Sequence, residues 1–156
     1  MSDWITAMNP TAPVTTEAEA LRAWRASAVS IFIGAVVGAV GVAWTAMNPD
    51  AAPTAAAGQA ALWIAVAMVV IQLVLGWVQW REPRKVIAII FLLLIAFGIL
   101  STLAAPMMAG MVPDMPVIPL WQIALSLAIM AVQTVLHVAG LRGINKLDAL
   151  QMDAAR

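Results

Sequence analysis

The chain has 156 residues, 63% of them hydrophobic and only 10% charged, with a mean hydropathy of +0.95. A water-soluble domain carries roughly a quarter charged residues, so too few polar groups are present here to coat a globule. Eight basic and eight acidic side chains cancel, which leaves no basic surface for nucleic acid. The absence of cysteine excludes disulfides, thiolate nucleophiles and cysteine-type zinc sites. The expected class is an all-α, polytopic integral membrane protein with a four-transmembrane-helix bundle.

The first twenty residues hold Asp3, Glu17 and Glu19 without an apolar run or an early basic group. This fits neither a cleaved secretory signal nor an arginine-rich transit peptide, so the first hydrophobic helix is expected to act as its own targeting signal. Pro13 precedes Thr16 and Glu19, which stand at capping-box spacing. That predicts a helix starting near Glu17, ahead of the membrane, within a segment 1–25 on the cytoplasmic side.

Crossing a hydrocarbon core takes about 20 apolar residues in a helix. Four stretches qualify: 26–47, 60–80, 86–105 and 120–141. They form a transmembrane domain over 26–142, followed by a cytoplasmic tail, 143–156. Turn residues punctuate the gaps: Asn48, Pro49, Asp50 and Pro53, then Glu82 and Pro83, then Pro106, Pro113, Pro116 and Pro119.

Lysine and arginine are retained on the cytoplasmic side, and all eight fall in alternate segments. Arg22 and Arg25 precede the first span, Arg81, Arg84 and Lys85 join the second to the third, and Arg142, Lys146 and Arg156 follow the fourth. The other two loops hold only Asp50 and Asp114. Both termini are therefore expected in the cytoplasm. The short loops and missing targeting peptide favour a bacterial inner membrane. Trp24, Trp77 and Trp80 fall at the cytoplasmic span ends and Trp44, Trp63 and Trp121 at the outer ends, the pattern of headgroup anchors.

Helix association in lipid relies on close backbone approach and on polar side chains that find partners. In the first span Ser27, Ser30, Gly34, Gly38, Gly41 and Thr45 follow the helical period and predict a packing face. In the fourth span Gln122, Ser126, Gln133, His137 and Gly140 fall near one stripe, answered on the second by Gln72, Gly76 and Gln79. Gln72 and Gln133 both lie about 13 Å in from Arg81 and Arg142 at 1.5 Å per residue, near the midplane. Facing carboxamides would satisfy donor and acceptor together, and Gln72 and Gln133 are expected to face protein or trapped water; with Gln79, Gln122, Ser126 and His137 they are expected to be buried polar residues. The third span has no polar side chain from Val86 to Phe97 and is expected to be the most lipid-exposed.

Two self-similarities are present. Gln72, Val74, Leu75 and Arg81 recur in spacing as Gln133, Val135, Leu136 and Arg142, while Arg25 with Phe32 matches Arg84 with Phe91. This has the form of a duplicated helical hairpin in parallel orientation. The second, Thr6 to Pro10 against Thr45 to Pro49, falls on opposite sides of the membrane.

No charged side chain lies inside a span, which removes intramembrane proton relays and ion-coordinating carboxylates. Asp50 and Asp114 stand alone, and Ser126 is about three turns from His137 along their helix, too far for a nucleophile and its base. No enzymatic activity is expected. His137 is a candidate axial ligand for a haem or pigment, though it lacks a second histidine. Met107, Met111 and Met115, with Met108 beside them, are a candidate outer site for Cu(I) or Ag(I), because thioethers are soft ligands. The leading expectation is a non-catalytic protein acting through helix association, as an accessory subunit of a membrane complex or a self-assembling homo-oligomer. The rival is a small passive transporter or channel with a polar path through Gln72, Ser126, Gln133 and His137.

Overall fold

The computed structural model describes residues 2–48, 55–109, 111 and 118–155. Regular structure among them is entirely helical: α1 (Ser2–Met8), α2 (Glu17–Met47), α3 (Ala55–Arg81), α4 (Lys85–Ala109) and α5 (Leu120–Ala154). The last four are long and apolar enough to cross a membrane.

Local chemistry sets the ends of α2. The Thr16 hydroxyl accepts from the Glu19 amide at 3.3 Å, and the Glu19 carboxylate accepts from the amides of Thr16 at 3.0 Å and Thr15 at 2.8 Å. This is the reciprocal capping box anticipated from spacing. At the other end the Asn48 side chain donates to the Trp44 carbonyl at 2.9 Å. Its backbone leaves the helix with φ −127° and ψ 63°, as expected of a residue that precedes proline.

Three helices outrun their predicted limits: α3 begins at Ala55, five residues before the expected span, and α4 and α5 run past theirs. α4 continues through Pro106 to Ala109, although proline was expected to end it at 105. Proline there removes the N–H that would bond the Thr102 carbonyl, and the helix ends one turn later at Ala109. α5 runs on to Ala154, so most of the tail is helix. It is held there because Ile144 and Leu147 are buried against Ala20 and Trp24.

α2 and α5 form the central pair, α3 packs on α2, and α4 packs on α5. α3 and α4 are joined by three residues, yet their backbones hardly approach each other, leaving the ring of helices open on that side. α1 lies across the central pair, with Met8 against Ala26, Leu136 and Ala139. The third span is therefore not the most exposed one. Only 6% of the α3 window is buried, against 17% for α4, because α4 seats Ala88, Phe91 and Ile95 in the fold while α3 packs chiefly on α2.

The central pair is closest at the end carrying the basic residues. A Cβ placed on Gly140 would stand 2.5 Å from Ser27 Cβ, and one on Gly143 2.5 Å from the Trp24 backbone nitrogen. Toward the opposite end the helices part. Gly41 has no neighbour within 4 Å of its Cβ position, and Thr45 is exposed, its hydroxyl turned back onto the Gly41 carbonyl. Within the chain the small-residue face of the first span is covered at Ser27, Ser30, Gly34 and Gly38 and left uncovered at Gly41 and Thr45. Small residues permit close approach, but the crossing angle decides how far along the helix it extends.

Candidate functional site

A cavity of about 400 Å³ occupies the middle of the structure, lined by α2 at Gly34, Val37 and Gly38, by α3 at Gln72, and by faces of α4 and α5. Its polar atoms converge on Gly34. The Gln133 Nε2 lies 3.0 Å and the Gln72 Oε1 3.5 Å from the position a Gly34 Cβ would take, so both carboxamides fit because that residue has no side chain. They do not pair in the way expected from their matching depth. Gln133 Nε2 donates instead to the Ser30 carbonyl at 3.1 Å, and the Ser30 hydroxyl donates to the Gln133 carbonyl at 3.1 Å. Gln72 Oε1 is enclosed and has no hydrogen-bond partner among the described residues. The walls are apolar: Phe91, Leu94 and Ile95 on one side, Ile129 and Met130 on the other.

The cavity continues away from the basic end. Thr102 and Ser126 line it and also line a second cavity of about 250 Å³ with Ser101 and Gln122. A run of hydroxyl and amide groups therefore leads from the ends of α4 and α5 remote from the basic residues to Gln133 and Gln72. Gln122 stands exposed at its mouth, which corrects the expectation that it is buried: α5 begins at Leu120, and one turn into the helix lies above the packed region.

The opposite end is closed. Gln79 is fully buried and donates through Nε2 to the Ser27 hydroxyl at 2.8 Å; Ser27 in turn donates to the Trp24 carbonyl at 3.1 Å, and the Trp24 indole donates to the Gln79 carbonyl at 2.5 Å. Buried polar groups joined in this way rigidify their surroundings. Trp24 is thus a core residue, 6% exposed, and not the interfacial anchor its position implied. The exposed Trp44, Trp63, Trp77 and Trp121 keep the positions expected of anchors. The Arg25 guanidinium lies over the Trp24 and Trp80 rings at 5.7 and 5.3 Å, and that of Arg81 over Trp77 at 4.8 Å, contacts that stabilise a cation where water is scarce.

His137 lies beneath the cavity, stacked on Phe91 with ring centroids 5.8 Å apart. It is fully buried and neither ring nitrogen has a partner among the described residues. Gln133, one turn away on α5, does not bond to it, being turned to Ser30. Phe91 and His137 occupy the positions that the hairpin repeat sets against Phe32 and Gly76, and Phe32 indeed packs on Gly76. Of the methionine group, Met107 and Met111 are exposed, and Met115 lies outside the described residues. No group of three or more histidine, cysteine or carboxylate side chains suited to a metal occurs among the described residues.

Sequence reasoning identified Gln72, Ser126 and Gln133 but missed Ser101 and Thr102, the only polar side chains of the third span past Lys85, and the wall residues. The hydroxyl pair was a visible signal; the apolar walls carry none, being indistinguishable from surface leucine and isoleucine. Comparison of the chain with protein-family models, with curated proteins and with solved structures finds no match.

Proposed function

We propose that this chain is a small, non-catalytic transporter that receives an uncharged molecule at mid-membrane, in a bacterial inner membrane with both termini in the cytoplasm. The basic end then faces inward, and the run of Gln122, Ser101, Thr102 and Ser126 leads in from outside. One observation carries the reading: two glutamine amides converge over Gly34 inside a cavity of about 400 Å³ bounded by all four long helices. A purely structural bundle has little reason to keep an acceptor such as Gln72 Oε1 enclosed and unpaired, which costs about 1–3 kcal/mol. The absence of charge in the lining favours passive movement.

Reconstitution tests it. Liposomes containing the protein should release an encapsulated uncharged solute such as a polyol, or exchange a long-chain alcohol between leaflets, faster than protein-free vesicles. Release or exchange should fall toward the protein-free rate in Leu94→Trp, which fills the cavity from its exposed rim. No release or exchange above protein-free vesicles would retire the reading.

Association with a second copy or another membrane subunit is the second reading. It is favoured by the uncovered outer part of α2, where Gly41 faces open space and Val40 and Trp44 are exposed. This face continues the one that lines the cavity at Gly34, Val37 and Gly38, about one turn further along α2, so a partner seated there would border the cavity without filling it.

A further inference from the structure

We propose that the molecule received by the central cavity is a hydroxyl-headed neutral amphiphile that enters sideways from the bilayer between α3 and α4. This rests on the reading of the cavity as a binding site and names the ligand class.

Three observations converge. The first is the hydrogen-bonding inventory. Gln72 Oε1 is an unpaired acceptor, while Gln133 Nε2 spends one N–H on the Ser30 carbonyl and retains a second. A hydroxyl donates to the one and accepts from the other; a ketone or ester can only accept, and an ammonium can only donate. The second is electrostatic. The cavity lining contains no charged residue, and Arg81 and Arg142 stand nine residues along α3 and α5 from the two glutamines, roughly 13 Å at the helical rise. A carboxylate or phosphate head would be stranded without a counter-ion in the apolar interior.

The third is the shape of the opening. α3 contributes Gln72 alone to the lining, whereas α4 contributes Phe91, Leu94, Ile95 and Thr102. These two helices are the neighbours in the ring that do not pack. Leu94 and Val37 line the cavity and are still 51% and 43% exposed, so an apolar body attached to the head runs out along leucine and valine into lipid. A wholly polar solute would leave these walls unsatisfied.

The test uses the full chain in liposomes and three photoactivatable probes with a diazirine at the same carbon: palmityl alcohol, palmitic acid at a pH where it is ionised, and the matching alkane. Crosslinks are mapped by mass spectrometry. The alcohol should label Leu94, Ile95, Phe91 or Met130 about 3- to 10-fold more than the alkane, the worth of one hydrogen bond in a membrane interior, and more than the ionised acid. The preference should vanish in Gln72→Leu, and Leu94→Trp should block labelling of the cavity by all three. Equal labelling of the cavity by the three probes in the unaltered chain overturns the hydroxyl assignment and leaves the binding cavity standing. Labelling confined to the outer faces of α3 and α4, with none on cavity residues, overturns both. Because the comparison of probes is made on the unaltered chain, failure of a variant to fold does not spare the proposal.

Discussion

Gly140 and Gly143 set the distance between the central helices, since any side chain at either would collide with the α2 backbone or with Ser27 Cβ. Neither clash is with the far end of a flexible chain, so the helices themselves must move. Gly143→Ala is expected to destabilise the fold by about 1–3 kcal/mol, the usual range for overpacking, measured by unfolding in detergent micelles. Gly41→Ala, which enters open space, should leave stability unchanged or raise it by up to about 1 kcal/mol, the helix preference of alanine over glycine. Similar costs at both positions would mean that the closest approach lies elsewhere. The contrast is informative because both residues sit in apolar helices and neither is singled out by its sequence neighbours. Gln79 and Gln72 differ in the same way: they are seven residues apart on α3 and share a face, yet Gln79 meets Ser27 and closes a network while Gln72 meets a cavity.

At the level of elements, α2 is divided. Its half nearer the basic end is packed on both sides, and its outer half presents Val36, Val40, Trp44 and Met47 to the surroundings. Single cysteines distinguish the two halves. Cysteine at Gly41 or Thr45 should form a disulfide-linked dimer on mild oxidation if copies associate along this face, whereas cysteine at Ser30, which is fully buried, should not. Monomer at all three positions would remove self-association through α2. Gly34 is a poor position for such a probe despite its place in the seam, because a side chain there meets Gln133 Nε2 at 3.0 Å. The hairpins α2–α3 and α4–α5 place an aromatic ring at the same station, Phe32 on Gly76 and Phe91 on His137, but only the second position carries a side chain large enough to stack. The α2–α5 contact has no counterpart between α3 and α4, and that broken symmetry is what opens the cavity.

For the whole molecule, the described basic residues gather at one end. Arg25 reaches Trp80 across α2 and α3, Lys85 pairs with Asp148 across α4 and α5, and Arg142 donates to the Ala12 carbonyl at 2.9 Å. This arrangement follows from an even number of long helices running back and forth, with basic residues in alternate connecting segments. Reporter enzymes active only in the cytoplasm or only outside, fused to either tail, should both report the cytoplasm. An external signal from either tail would reverse the polarity of the cavity, placing its closed end outside.

The number of the long helices and the start of α2 were legible in the sequence, since apolar runs of sufficient length and the Thr16–Glu19 capping box are local features. So was the convergence of Gln72 and Gln133 on one level, which follows from equal distance to Arg81 and Arg142. Hydropathy says little about which side of an apolar helix is covered, however, because lipid and protein interior ask for the same side chains. Tertiary packing alone therefore decided that Trp24 is core, that Gln122 and Gly41 are exposed, that α3 is barer than α4, and that a gap separates those two helices. Each depends on how closely α2 meets α5, a contact between residues more than a hundred positions apart that no local pattern encodes.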